Sequence, residues 1–310
     1  MLVLLLLSGW VCRAGARKTV EEITFHRAEV LSEHAVRLPF ELAGHLLTFE
    51  ATIDGVTGKL VLDTGSETLL LNGRHFEGET DNDLLAYGQT GTVSRVSTSR
   101  VDGLQWGQFR LRRLDGHVVD LSHVEDQKHL MLLGMLGFSA LEEFEVFIDF
   151  FLQQITLVRL DKRGERLDTH AILESPQDSL AFLRSGHFIV LEGEVDGKPL
   201  KMALDTGAEI NLLDRRVPRR VRRQFRILKR SLLTGAGGQR VEVLAGNLFR
   251  LRVAHQRYGP MQTLLTNMDE INEICPLRLD GILGYPFFAH KRMAINYRKE
   301  TLYFFQRYKP

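Results

Sequence analysis

Residues 60–71 read LVLDTGSETLLL, and residues 202–213 read MALDTGAEINLL. In each stretch an apolar, strand-like run delivers Asp-Thr-Gly into a turn and then becomes apolar again. An acidic side chain is thereby presented where a buried strand ends. One Asp-Thr-Gly carries little weight. Two of them, each entered through Leu and each followed by a small residue and Glu (Ser66-Glu67 and Ala208-Glu209), make a pattern.

The pattern extends outward on both sides. Gly44-His45, Glu50, Asp54-Gly55, Leu62 and Asp63 recur as Gly186-His187, Glu192, Asp196-Gly197, Leu204 and Asp205, at a constant offset of 142 positions. Downstream, Gly134, Leu136 and Gly137 in LLGMLGFSAL match Gly281, Leu283 and Gly284 in LDGILGYPFF at an offset of 147, and Ile148-Asp149 matches Ile295-Asn296. The chain reads as an internal duplication whose copies differ little in length.

Two copies of a hydrophobic-hydrophobic-Asp-Thr-Gly-Ser/Ala strand end, each followed by a hydrophobic-Gly-hydrophobic-Leu-Gly element, resemble the pepsin and retropepsin aspartic peptidases. The likeness is greatest to single-chain bacterial members with two retropepsin-like lobes, and it runs from about Gly44 to Phe305. It implies a mostly β, bilobal acid-protease fold built from two duplicated retropepsin-like β-barrel lobes. The expected organisation is a signal peptide over 1–16, an N-terminal lobe over 17–160, an interlobe linker over 161–185 and a C-terminal lobe over 186–310. By the same resemblance Asp63 and Asp205 are the catalytic pair. Thr64, Gly65 and Ser66, with Thr206, Gly207 and Ala208, form their supporting turns, the two threonines gripping the opposite lobe's backbone. Tyr87 and Gly88, and Gly235 and Gly237, are the candidate flap residues.

Chemistry agrees with that assignment. Peptide hydrolysis without a metal or covalent intermediate needs a water deprotonated on one side while the amide is protonated on the other, and two carboxylates sharing a proton perform both tasks. The hydroxyl of Ser66 is placed to bond Asp63 and favour its charged form, whereas Ala208 has none to offer Asp205. In retropepsins the position after the second-motif glycine holds an Arg that pairs with an acid placed as Glu67 and Glu209 are. Here Phe138 and Tyr285 stand there, which leaves that ion pair without its usual cation. No HExxH or paired Cys/His spacing points to zinc, no Gly-x-Ser-x-Gly elbow is present, and no cofactor is required. The repeated His45 and His187 read as polar residues at lobe edges.

Composition narrows the class further. A hydrophobic content of 44% with 25% charged residues describes a globular chain with a sizeable core, and a net charge of +1 gives no general attraction to nucleic acid. Met1 to Cys12, MLVLLLLSGWVC, has the length of a signal-peptide core and is short for a bilayer span, with Ala14-Gly15-Ala16 suited to cleavage before Arg17. The expectation is a secreted or periplasmic protein whose mature chain does not insert stably into a membrane. Only Cys275 would remain in it, so no intrachain disulfide is expected. Its partner would be a peptide or protein substrate, and one chain suffices to assemble the acid pair. The alternative function is a catalytically silent peptide- or protein-binding module on the same fold.

One stretch stands apart. Nine Lys or Arg residues lie between Arg215 and Arg230, where the first copy has the acidic loop of Glu77, Glu79, Asp81 and Asp83. Val217, Val221, Phe225 and Leu228 fall on one helical face after Pro218, so the spacing predicts a helix with a solvated basic side and an apolar side on the lobe. Used functionally, the same charge would suit an anionic polymer or a membrane surface. Between the lobes, Leu167, Ile172, Leu180 and Phe182 predict that the linker packs.

Overall fold

The computed structural model describes residues 29–80, 86–88, 91–93, 96–107, 109–234, 240–289 and 291–306. The expected signal peptide over 1–16 and the flap glycines Gly235 and Gly237 lie outside the described residues. Strands dominate, and among the described residues the longest helix is the seven-residue Ser122–Lys128.

Local turn chemistry sets the first hairpin of each half. Asp54 and Gly55 both take positive φ (45° and 89°) and join Leu46–Ile53 to Val56–Leu62, and Asp196 and Gly197 (50° and 76°) do the same between Phe188–Val195 and Lys198–Leu204. Paired positive φ is the geometry whose twist matches a two-residue hairpin, and Asp-Gly tolerates it best. The second strand of each hairpin runs into the acidic turn.

Beside each of those strands the Gly-rich element passes through the middle of the sheet. Leu132–Leu136 pairs in parallel with Val56–Leu62 and antiparallel with Leu69–Asn72, so it lies between the two strands that flank the Asp63 turn. Gly281–Leu283 occupies the same place between Lys198–Leu204 and Asn211–Asp214. Close approach explains the glycines: a Cβ on Gly134 would overlap the carbonyl oxygen of Leu70, and one on Gly281 would come within 2.5 Å of that of Leu212. The first half forms an eight-stranded sheet that curls back on itself where Leu46–Ile53 meets Ser97–Trp106. The second forms a ten-stranded sheet.

A seven-stranded sheet joins the halves, with Phe144–Asp149 antiparallel to Arg292–Asn296 at its centre. The linker contributes the edge strand Asp178–Ala181, and Ile172 and Phe182 are buried, whereas Leu167 is 48% exposed. The largest apolar core is continuous from Val36 and Leu38 through Ile148 and Ile295 to Phe304, so the bridging sheet is packed into both halves.

One expectation needs correction. Helix over 215–230 is confined to the single turn Arg219–Arg222, and Phe225–Thr234 is a strand paired with Arg240–Leu248. Val217, Val221 and Phe225 are buried as the helical pattern required, but Leu228 is 60% exposed. Pairing with a neighbouring strand outweighs a helical periodicity only a few residues long. Around the candidate flap residues Tyr87 and Gly88, Ala86–Gly88 pairs with Gly91–Val93, while Val101 belongs to Ser97–Trp106, which pairs with Phe109–Val119.

Candidate active site

Asp63 and Asp205 each terminate a strand locked to the central Gly-rich element. The Asp63 N–H donates to Leu136 O and the Asp205 N–H to Leu283 O, both at 3.0 Å. Between the two turns the threonines exchange bonds across the halves. Thr64 Oγ1 donates to Leu204 O (3.1 Å) and accepts from the Thr206 N–H (3.0 Å), while Thr206 Oγ1 donates to Leu62 O (2.8 Å) and accepts from the Thr64 N–H (3.0 Å). Both threonines are wholly buried. A full set of bonds in so dry a place fixes the separation of the turns, because any slip strands buried polar groups.

This grip brings the acids together. The Gly65 N–H donates to Asp63 Oδ1 at 2.9 Å, and a Cβ on the same glycine would stand 2.6 Å from the Asp205 carboxyl carbon. Reciprocally, the Gly207 N–H donates to Asp205 Oδ1 at 2.8 Å, and its Cβ would stand 2.6 Å from the Asp63 carboxyl carbon. Each glycine therefore touches both carboxyl groups. Ser66 Oγ donates to Asp63 Oδ2 at 2.5 Å, and Ala208 is buried with a methyl group in the corresponding place.

Both carboxyls open on a cleft of about 640 Å³ walled by apolar side chains, among them Leu70, Met135, Phe188, Leu264 and Ile282. The Ala86–Gly88 strand, carrying Tyr87 and Gly88, lies against the Asp269–Ile274 helix of the other half.

The sequence did not point to the outer ring of contacts. Glu209 accepts the His45 N–H (2.9 Å) and the Lys128 ammonium (2.5 Å), both from the first half. Lys128 thus supplies the cation that Phe138 and Tyr285 lack. Those aromatics pair instead with the bridging sheet, Phe138 edge-on to Tyr297 (5.1 Å) and Tyr285 edge-on to Phe150 (6.1 Å), while His45 stacks on Tyr285 at 4.3 Å. His187 Nε2–H donates to the Gly65 carbonyl at 3.1 Å, so this histidine reaches the acidic turn of the opposite half. Burial lowers its pKa from the ordinary value, against the opposing charges of Glu67 and Asp63. The recurrence of Gly-His and of the Glu after each triplet was the available signal; Lys128 had none.

With this geometry established, comparison with known proteins is informative. Residues 191–287, which include the whole second turn, match the family model described as aspartyl protease. The backbone also superposes on the crystal structure of aspartic proteinase from Irpex lacteus, with a TM-score of 0.54 at 9% sequence identity, over 88% of this chain and 97% of that one. The chain has the pepsin/retropepsin-like aspartic peptidase fold. No curated protein matches the sequence. At so low an identity the superposition shows the fold alone. Among the described residues, no group of three or more His, Cys, Asp or Glu converges as a metal site would require, and no helix is long and apolar enough to cross a membrane.

Proposed function

We propose that the protein is an aspartic endopeptidase in which Asp63 and Asp205 activate a water molecule against the peptide bond. The observation that carries this reading is the reciprocal glycine contact, since each of Gly65 and Gly207 touches both carboxyl groups and so presents them to one small volume. Carboxyls that close share a proton instead of both ionising, which leaves one to act as base and the other as acid.

The hydrogen bonds from Ser66 and Gly65 support Asp63 as the anionic member. It removes a proton from water as the oxygen attacks the peptide carbonyl, and the proton held by Asp205 passes to the carbonyl oxygen. The tetrahedral diol then collapses: one hydroxyl proton returns to Asp205, the C–N bond breaks, and the amine leaves with the proton taken up by Asp63. The cleft wall favours an extended peptide with apolar side chains near the cleaved bond, bonded through its backbone to strand edges. The domain limits proposed are a lobe on either side of a linker over 161–185, and a monomer holds every residue the reaction uses.

A peptide-library digest with the wild-type protein and the Asp63→Asn variant, each with and without pepstatin, tests the proposal. Cleavage by the wild type that pepstatin blocks and the variant lacks is the expected result. Binding by both without cleavage would instead establish a silent recognition module.

A further inference from the structure

The basic stretch was expected to bury its apolar residues against the lobe, leaving only a wet charged face. It does not. Phe225–Thr234 stands at the end of its sheet among the described strands, paired on one side alone. Ile227, Leu228 and Leu232 are 56%, 60% and 63% exposed, with Arg226, Lys229 and Arg230 exposed among them. Arg230 pairs with Glu242 at 2.7 Å, but Arg226 and Lys229 have no acidic partner among the described residues, nor do Arg219, Arg222 and Arg223 on the preceding turn. An aliphatic edge strand with unused backbone groups is normally shielded, because it invites another strand.

Leu228, Lys229, Ser231 and Leu232 also line the cleft that holds Asp63 and Asp205, as does Ile274, itself 38% exposed. Concavity and shared walls separate this surface from a membrane anchor, which needs a projecting apolar face. A polypeptide leaving the two acids along this wall would meet Leu228, Leu232 and the ammonium of Lys229, with the exposed Arg226 further along the same strand. We propose that the Phe225–Thr234 edge is a recognition strand for an acidic flank of the substrate, selecting extended polypeptides that carry Asp or Glu a few residues from the apolar segment to be cut. The reading rests on the cleft being a peptide site. Rim charges of this kind act through complementarity and are screened by salt.

The test uses two peptides with one apolar centre, flanked by Glu residues in the first and by Gln in the second, offered to the wild-type protein and to Arg226→Glu/Lys229→Glu. Several exposed charge pairs together are expected to favour the acidic peptide by about tenfold in kcat/KM at low ionic strength. That preference should fade at high salt and reverse in the charge-swapped variant. The ratio of the two peptides is read within each protein, so a general loss of activity in the variant does not blur it. Equal rates for both peptides in the wild type, or a preference the variant keeps, would overturn the inference. Fluorescence anisotropy with the same peptides reads affinity directly: preferential binding of the acidic peptide without hydrolysis would remove the peptidase reading and retain this one. Sedimentation with anionic vesicles that depends on Arg226 and Lys229, with no peptide preference, would overturn it in favour of a lipid surface.

Discussion

Gly65 and Gly207 leave no room for a side chain, because the space it would take holds the opposite carboxyl group. A Gly65→Ala variant must push Asp205 aside, and catalysis suffers from displacements of that size far more than stability does. We expect kcat to fall by about 100-fold or more while the thermal midpoint moves little; steady-state kinetics beside a melting curve checks it. Thr206→Val is the opposite case. It keeps the shape but strands the Thr64 N–H and the Leu62 carbonyl in a dry interior, at a cost of about 1–3 kcal/mol in chemical denaturation. His187 adds a pH term. Its pKa is lower in the fold than in the unfolded chain, so the unfolded state binds more protons between the two values. Stability from the neutral ring is complete above the unfolded value near 6.5 and is lost as pH falls through the folded one. His187→Gln keeps a donor for Gly65 and cannot be charged, so it should gain on the wild type as denaturation is repeated from pH 7.5 down to pH 5, in the manner expected of this linkage.

At the scale of elements, the strand through the middle of each half depends on a backbone-to-backbone approach. Gly134→Ala drives a methyl group into the Leu70 carbonyl, and neither strand can retreat without breaking the ladder on its far side. A loss of about 3 kcal/mol or more is expected. Gly197→Ala is the control: its φ of 76° makes alanine strained, yet nothing lies within 4 Å, so about 1 kcal/mol should suffice. Paired melts of the two variants separate steric from conformational cost. The hairpins at Asp54-Gly55 and Asp196-Gly197 were legible because a turn is set by two residues. The 225–234 strand was not legible. Its helical spacing was real over Val217, Val221 and Phe225, but a neighbouring strand at 240–248 decided how it continued.

For the whole molecule the bridging sheet matters most. Arg292, from the second half, lies buried against Asp149 of the first at 2.7 Å and also reaches Glu174 in the linker. Arg292→Met leaves the buried Asp149 without its cation, and about 3–5 kcal/mol of stability should go with it, whereas Arg292→Met/Asp149→Asn, which removes the stranded charge and keeps an acceptor for the Phe151 and Leu152 N–H groups, should recover part of the loss. Urea titration of the single and double variants distinguishes the outcomes. By itself the sequence determined the repeat, the β architecture, the two acidic turns and the residues that support them, because each of these is written within a few neighbouring positions. Tertiary structure alone decided that Lys128 meets Glu209, that His187 reaches Gly65 and that a basic strand borders the cleft. Those contacts join residues 81 and 122 positions apart, or depend on which strand pairs with which, and no local preference of the chain encodes such distances.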